Sequence, residues 1–375
     1  MIIFIKAIGG RIQNPAPEKE ENRMRRLFTL VTALMVALTL MIGSAAADKI
    51  IPAKVGMLAL LNTSENDAVA YHEATSIAMQ ELIRHGQVKG VFDFENEPIV
   101  FDYGVVFYDE LNEMLMGLKV GDISGMEVYG KVAKYLCATN DDLGMLLILD
   151  DPAETDCSAI PFYKNMVRND FSFMLLKGKE ALRDELSDAI DAMKEDGTLD
   201  RLEDEHINAA IDGREILPVS MPLIEGAETI KVAITGLMPP IDYIAPDGTP
   251  AGYNTAVLAE ISKRIGKNIE LVQVNSLGRA TALASGTVDV VFWTRANVNS
   301  YLLMDQTEEE KAETKAQITS NAEEEELDSI REIEELWPLE LHVRMDMPDD
   351  TIITHSYYSD MLVPVALKSF VEDLR

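Results

Sequence analysis

The sequence predicts an α/β protein in two parts, and three observations predict it. Apolar runs of strand length alternate with stretches whose apolar residues recur at helical spacing, the pattern of strands layered against helices. The alternation is interrupted over residues 208–228, "NAAIDGREILPVSMPLIEGAE", where Gly and Pro occur without periodicity and a linker is expected. It then restarts with "AITGLMPPIDYIAPDGTPAGYNTAVLAEISKRIGK", a strand, a Pro-rich turn, an Asp247-Gly248 turn and an amphipathic helix. With 47% hydrophobic residues in 375, the chain can bury the core of two domains or of one two-lobed domain.

The N-terminal 47 residues read as an extension and a signal peptide. Arg25 and Arg26 precede an apolar run from Leu27 to Ile42, and Ala45-Ala46-Ala47 supplies small residues for cleavage after Ala47. That is the secretory pattern, with Met24 as a candidate start. The run is short for an anchor helix. No Cys follows the apolar core, so no lipid anchor is expected. The expected product is exported and soluble, periplasmic or extracellular.

Residues 48–178 form the first α/β part. "KVGMLALL" (54–61) reads as a buried strand. "NTSEND" supplies turn and capping residues before a helical period over Ala68–Arg84. "EPIVFDYGVVFY" is strand-rich. The stretch from Asp109 to Leu136 gives a helix, a short strand and a second helix. "LGMLLIL" and "FSFMLLK" are further strands. Residues 179–207 are helical: Leu182, Leu186, Ile190 and Met193 share a face, and Asp196-Gly197 breaks the helix before a second begins at Leu199.

Residues 229–375 form the second α/β part. "IELVQV" is a strand, "GRATALASG" a helix ending in Gly, and "VDVVFWT" a buried strand. Residues 305–340 are acidic and of low complexity. They are expected to form a solvated helical arm or flap, with Leu336 and Trp337 as the apolar exceptions. "TIITHSYYSDMLVPVALKSFVEDLR" closes the chain as strand, turn and strand.

Charge and motifs narrow the function. A formal net charge of −31 argues against nucleic acid and anionic membrane surfaces, which repel a polyanion. His72, His85, His206, His342 and His355 lack metal-ligand spacing, so no metal or other cofactor is expected. Neither a P-loop, nor G-x-G-x-x-G, nor G-x-S-x-G occurs. Cys137 and Cys157 allow a disulfide that spacing alone does not establish, and Cys137, at a helix end, reads as a buried thiol.

The second part resembles the extracytoplasmic solute-binding proteins that feed polar amino acids to ABC transporters. The resemblance rests on Val232–Ile234, "PPIDY", "PDGTPAGYNTAVLAEI" and "ALASGTVD" (282–289), with "SYYSDMLVPVALK" similar to the strands that close the family's first lobe. The first part resembles the rest of the same family. "YDELNEMLMGLKVGDISGMEVYGKVAKYL" is similar to its second lobe, and "LLKGKEALRDELSDAIDAMKEDGTLDRLEDEHI" to its C-terminal helices. The resemblance implies a two-lobed, Venus-flytrap fold in circularly permuted order. The second lobe comes first (48–178), then the C-terminal-type helices (179–207), the linker (208–228), and the first lobe last (229–375). A tandem of two incomplete domains is the rival. The pieces complement one another into about one domain.

The same resemblance implies a ligand between the lobes. The aromatic expected after "PP" is Ile241, with Tyr243 following. The strand after Asp289 ends in Trp293, Thr294 and Arg295. The family's carboxylate-gripping Arg falls on or near Tyr301, and its ammonium-binding Asp on or near Tyr129. Arg295 and Glu127 are nearby replacements, each with a plain alternative as a solvated charge. The second-lobe loop falls on Leu61–Ser64, which offers Asn62 and Thr63. A Trp closing an apolar strand either packs in the core or stacks on a ligand.

The leading functional expectation is a binding protein, not an enzyme. It would be a monomer that captures a small amino acid-like solute and hands it to an ABC transporter permease. Two alternatives stand beside it. One is an enzyme on the same fold, lyase or peptidoglycan-active, which needs a carboxylate with a shifted pKa and a partner. The other is a sensing or protein-interaction module with a degenerate pocket.

Overall fold

The computed structural model describes residues 49–58, 65–90, 99–148, 159–296, 324–336 and 346–373, with single residues at 307, 309, 313 and 316. Residues 1–47, expected to hold a signal peptide, and Asn62, Thr63, Cys157 and Tyr301 lie outside the described residues. The chain divides into two compact units. One comprises Met1–Pro52 and Phe94–Asp102, in which the described residues are strand ends. The other comprises Ala53–Asp93 with Tyr103–Arg375.

In chain order the first part contains β1 (Lys49–Leu58), α1 (Glu65–Arg84), β2 (Lys89–Gly90), β3 (Ile99–Tyr108), α2 (Leu111–Val120), β4 (Gly125–Tyr129) and α3 (Gly130–Thr139). Next come β5 (Leu143–Met145), β6 (Leu147–Ile148), α4 (Ile160–Val167) and β7 (Arg168–Leu176). Helices α5 (Glu180–Glu195) and α6 (Thr198–Glu203) meet at Gly197, which adopts φ 75° and so turns the chain where a side chain would be strained. A single π turn and α7 (Ala209–Asp212) lead to the linker.

The second part holds β8 (Thr229–Ile234), β9 (Leu237–Met238), β10 (Asp242–Ile244), β11 (Pro250–Ala251), α8 (Tyr253–Ile265), β12 (Asn268–Gln273), α9 (Gly278–Ala284) and β13 (Val290–Ala296). It continues with α10 (Glu324–Leu336), β14 (Thr351–Ile353), β15 (Tyr358–Leu367) and α11 (Lys368–Asp373). The last is a helix where the sequence predicts only strands.

The main sheet runs β12-β8-β13-β7-β15-β4-β1-β3, with β14 on β7 and β5 on β15. It has two halves. In one, β12, β8 and β13 are parallel and β7 runs antiparallel to β13. In the other, β1 and β4 are parallel. Strand β15 belongs to both: Tyr358–Met361 pair with β7, while Leu362–Ala366 pair with β4. Val290, Val291 and Phe292 of β13 are buried, as a parallel strand covered on both faces requires. Helix α5 packs on α8, and two ion pairs tie the regions together: Arg264 to Asp196, just past α5, at 2.8 Å, and Lys267, just past α8, to Glu185 at 2.6 Å.

The acidic segment departs from expectation. Helix α10 is not a solvated arm, because Ile330 and Ile333 are buried in the main core. It packs on α1, where the Ser329 hydroxyl donates to Glu81 Oε1 at 2.8 Å, and the Tyr163 hydroxyl of α4 donates to its Glu326 carbonyl at 3.4 Å. The reason is periodicity. Leu327, Ile330, Ile333 and Leu336 recur every three residues, so a helix gathers them on one face although the composition is dominated by glutamate.

Candidate functional site

One cavity of about 60 Å³ lies where strands of both half-sheets end. Leu58 closes β1, Tyr129 closes β4, Thr235 follows β8, and β13 brings Trp293 from its irregular middle and Arg295 from next to its last residue. Carboxyl ends of parallel strands are where open α/β sheets bind ligands, because the loops beyond them are free to diverge. Ser276 and Arg279 at the start of α9, Asp109 before α2, and Asp346 complete the polar lining. A water needs roughly 10–15 Å³ on this measure, so the cavity admits a compact polar group and not a bulky one.

Its wall is aromatic. Trp293 stacks on Phe171, with ring centroids 3.7 Å apart and planes 16° apart. It meets Tyr129 edge-on at 5.7 Å and Tyr358 at 5.4 Å. Trp293 is 8% exposed, so the two roles the sequence leaves open for it coincide. One face packs in the core while part of the ring lines the cavity. Its backbone has φ 57°, and the β13–β7 register shifts between Val291 and Thr294. A left-handed residue with a side chain costs about 1–3 kcal/mol and persists only where its surroundings hold it.

The charged groups form a buried cluster. Arg295 is 3% exposed, and its guanidinium sits 4.8 Å over the Tyr71 ring. The Tyr71 hydroxyl donates to Asn169 Oδ1 at 3.2 Å. Arg279, 6% exposed, donates from Nη1 to the Trp293 carbonyl at 3.0 Å, from Nε to the Ser276 carbonyl at 3.3 Å, and from Nη2 to Asp346 Oδ2 at 3.1 Å. Asp346, 1% exposed, also accepts the Arg295 backbone N–H at 3.3 Å. Burial pushes the Tyr71 and Tyr129 phenols above their ordinary range, with the Asp346 charge adding to the rise at Tyr129. Burial by itself would lower the Arg295 pKa, but the two phenols and Asp346 outweigh it, and the guanidinium stays charged.

The sequence-derived site residues scatter. Trp293, Arg295 and Tyr129 meet at the cavity. Thr294 is fully buried between them, and its hydroxyl has no hydrogen-bond partner among the described residues. Tyr243 lies in the small β9-β10-β11 sheet, half-buried and outside the cavity lining. Glu127 is half-buried opposite Pro364, two residues short of Tyr129, and does not line the cavity either. Arg279 and Asp346 are the residues that sequence reasoning missed. Arg279 shares the buried face of α9 with Ala282 and Leu283, a charged residue at apolar spacing that could have marked it, whereas Asp346 follows the acidic segment and carries no local signal. Cys137 is a half-buried free thiol on α3 whose pKa burial raises. Among the described residues no group of three His, Cys, Asp or Glu side chains could hold a metal, and no helix is long and apolar enough to cross a membrane.

Chemically the cavity offers two buried cations against one buried carboxylate, beside aromatic rings. Asp346 is already engaged by Arg279 and by the Arg295 amide, so it is poorly placed to accept a substrate proton.

Residues 230–299 match the family model of bacterial extracellular solute-binding proteins, family 3. This is the segment whose motifs carry the resemblance. No curated protein matches the chain. Among solved structures, the ligand-binding component of an ABC-type import system from Staphylococcus aureus, with zinc bound, is 10% identical. The similarity covers 87% of this chain and 68% of that one, with a TM-score of 0.35. The periplasmic aliphatic sulphonate binding protein of Escherichia coli is 8% identical over 88% and 68%, with a TM-score of 0.32. The VFT2 domain of Bordetella pertussis BvgS is 11% identical over 86% and 83%, with a TM-score of 0.33.

Proposed function

We propose that the chain is an extracytoplasmic solute-binding protein that captures a small amino acid-like solute for an ABC importer, as a monomer and without catalysing a reaction. The observation that carries the reading is the cavity at the carboxyl ends of strands from both half-sheets, with Arg295 and Trp293 in its wall. The family match over residues 230–299 supports it. An excess of buried cations favours an anionic or zwitterionic head group, since a charge-assisted hydrogen bond is stronger than a neutral one.

The permuted order belongs to the same proposal. Residues 48–178 correspond to the second lobe, 179–207 to the C-terminal helices and 229–375 to the first lobe. The sheet supports it: the last strand, β15, and the first, β1, flank the same strand, β4. Chain ends that lie close together tolerate being joined elsewhere. Tyr243, Glu127, Asn62 and Thr63 are not required by this reading.

A thermal-shift screen tests it. Amino acids, short peptides, alkanesulfonates and amines are added in turn to the mature protein. A ligand present at 100 times its Kd stabilises the folded state by about 2.7 kcal/mol, so a carboxylate- or sulfonate-bearing hit raises the melting temperature, while simple amines do not. A folded protein that responds only to amines, or to nothing in the set, overturns the proposal.

A further inference from the structure

We propose that Arg279 and Asp346 act as a positioning clamp that sets the aromatic and cationic wall of the cavity. The clamp gives the wall a ligand-ready shape, and this role rests on the reading of the cavity as the solute site. The argument starts from the backbone of Trp293. A tryptophan does not choose φ 57° unaided, because its Cβ crowds the backbone there. Something must hold the conformation, and two groups flank it. Arg279 Nη1 grips the Trp293 carbonyl at 3.0 Å, and Asp346 Oδ2 accepts the Arg295 N–H at 3.3 Å. Arg279 and Asp346 are bound to each other at 3.1 Å. The pair therefore pins the peptide on both sides of Thr294 as one unit.

The consequence is orientation. With the bulge fixed, the indole lies flat on Phe171 and its edge meets Tyr129. Arg295 projects over Tyr71. Arg279 needs its planar fork for this, since it donates in three directions at once: to Ser276, to Trp293 and to Asp346. A lysine can serve one of these acceptors at a time with useful geometry. Helix α1 supplies Tyr71 beneath Arg295.

The test reads Trp293 directly and needs no ligand. The chain has two tryptophans, so Trp337→Phe leaves Trp293 as the sole reporter. In that background Arg279→Met and Arg279→Lys are compared by near-ultraviolet circular dichroism and by acrylamide quenching. Ile261→Ala, a buried α8 position remote in sequence from the clamp, serves as a destabilised control. The expected result is loss of the Trp293 dichroism band and a marked rise in quenching for Arg279→Met. Arg279→Lys should give a partial effect, and Ile261→Ala should keep both signals despite a lower melting temperature. Should Arg279→Met fail to fold, Asp346→Asn, which keeps shape and removes the charge, reads the same signals. Trp293 signals unchanged in the clamp variants, or equally disturbed by Ile261→Ala, overturn the proposal. A failed functional reading shows separately, as a ligand screen without hits alongside an intact spectral response.

Discussion

Replacing Ile333 by Ala tests whether the acidic segment is part of the fold. Ile333 is 0% exposed and sits one helical turn from the buried Ile330, in the face of α10 that meets α1. Truncation deletes buried carbon without adding a polar group, and changes of this kind cost roughly 2–5 kcal/mol. Helix α10 is a single surface helix that can relax toward the gap, so a value near the middle, about 3 kcal/mol, is expected. That penalty falls first on local opening of the helix. Each 1.4 kcal/mol is a factor of ten, so amide hydrogen exchange within α10 should accelerate by about 100-fold. Exchange in α8, which packs on α5, should change far less. The internal control is Asp328→Ala. Its side chain is 76% exposed and, among the described residues, pairs with an exposed Arg331 at 2.8 Å, and surface pairs of that kind contribute about 0–1 kcal/mol. If Ile333→Ala exchanges no faster than Asp328→Ala, the buried face of α10 contributes nothing and the segment is a solvated arm.

Two further outcomes follow from the geometry. Arg295→Ala should lower both ligand affinity and the stability of the unliganded protein. It removes a cation–π contact, ordinarily about 0.5–2 kcal/mol, and leaves Asp346 still paired with Arg279. The unliganded loss should therefore fall below the roughly 3–5 kcal/mol of a buried charge left with no partner. A urea titration that shows unchanged stability would mean that the guanidinium stands free in solvent. Asp196→Asn should alter the acid limb of the stability profile. Hydrogen bonds from Thr198 and Arg264 hold the Asp196 carboxyl down to about 2, from an ordinary 3.8. A depressed carboxylate stabilises the fold above its unfolded pKa and loses that contribution as pH falls through its folded one. The difference in melting temperature between wild type and variant should thus be constant above about pH 5 and shrink progressively as pH falls toward about 2. A difference independent of pH across that range would refute the assignment.

Much of the fold was legible along the chain. The strand runs and helical periods before and after the linker reappear as β1, β7, β8, β12 and β13 with α1, α5 and α8. Local period reports which face of an element is buried, and that is enough to name the elements. Helix α10 was legible too, but only to a reading of spacing. Its glutamates set the composition, while Ile330 and Ile333 set the packing.

The site was legible only in part. Sequence alone determined that Trp293 and Arg295 follow one apolar run, and both line the cavity, although the strand continues past them to Ala296. Sequence also determined the α/β class and the match that residues 230–299 make to a family of solute-binding proteins. Tertiary structure decided that Arg295 is held over Tyr71, more than two hundred residues away, and that Tyr243 and Glu127 lie off the cavity. It alone joined Arg279 to Asp346 across the acidic segment. The physical reason is that burial and charge pairing are set by which elements come to share a wall. Apolar period fixes how each element faces the core, but no period in the sequence records which distant carboxylate, ring or carbonyl a buried arginine will meet there.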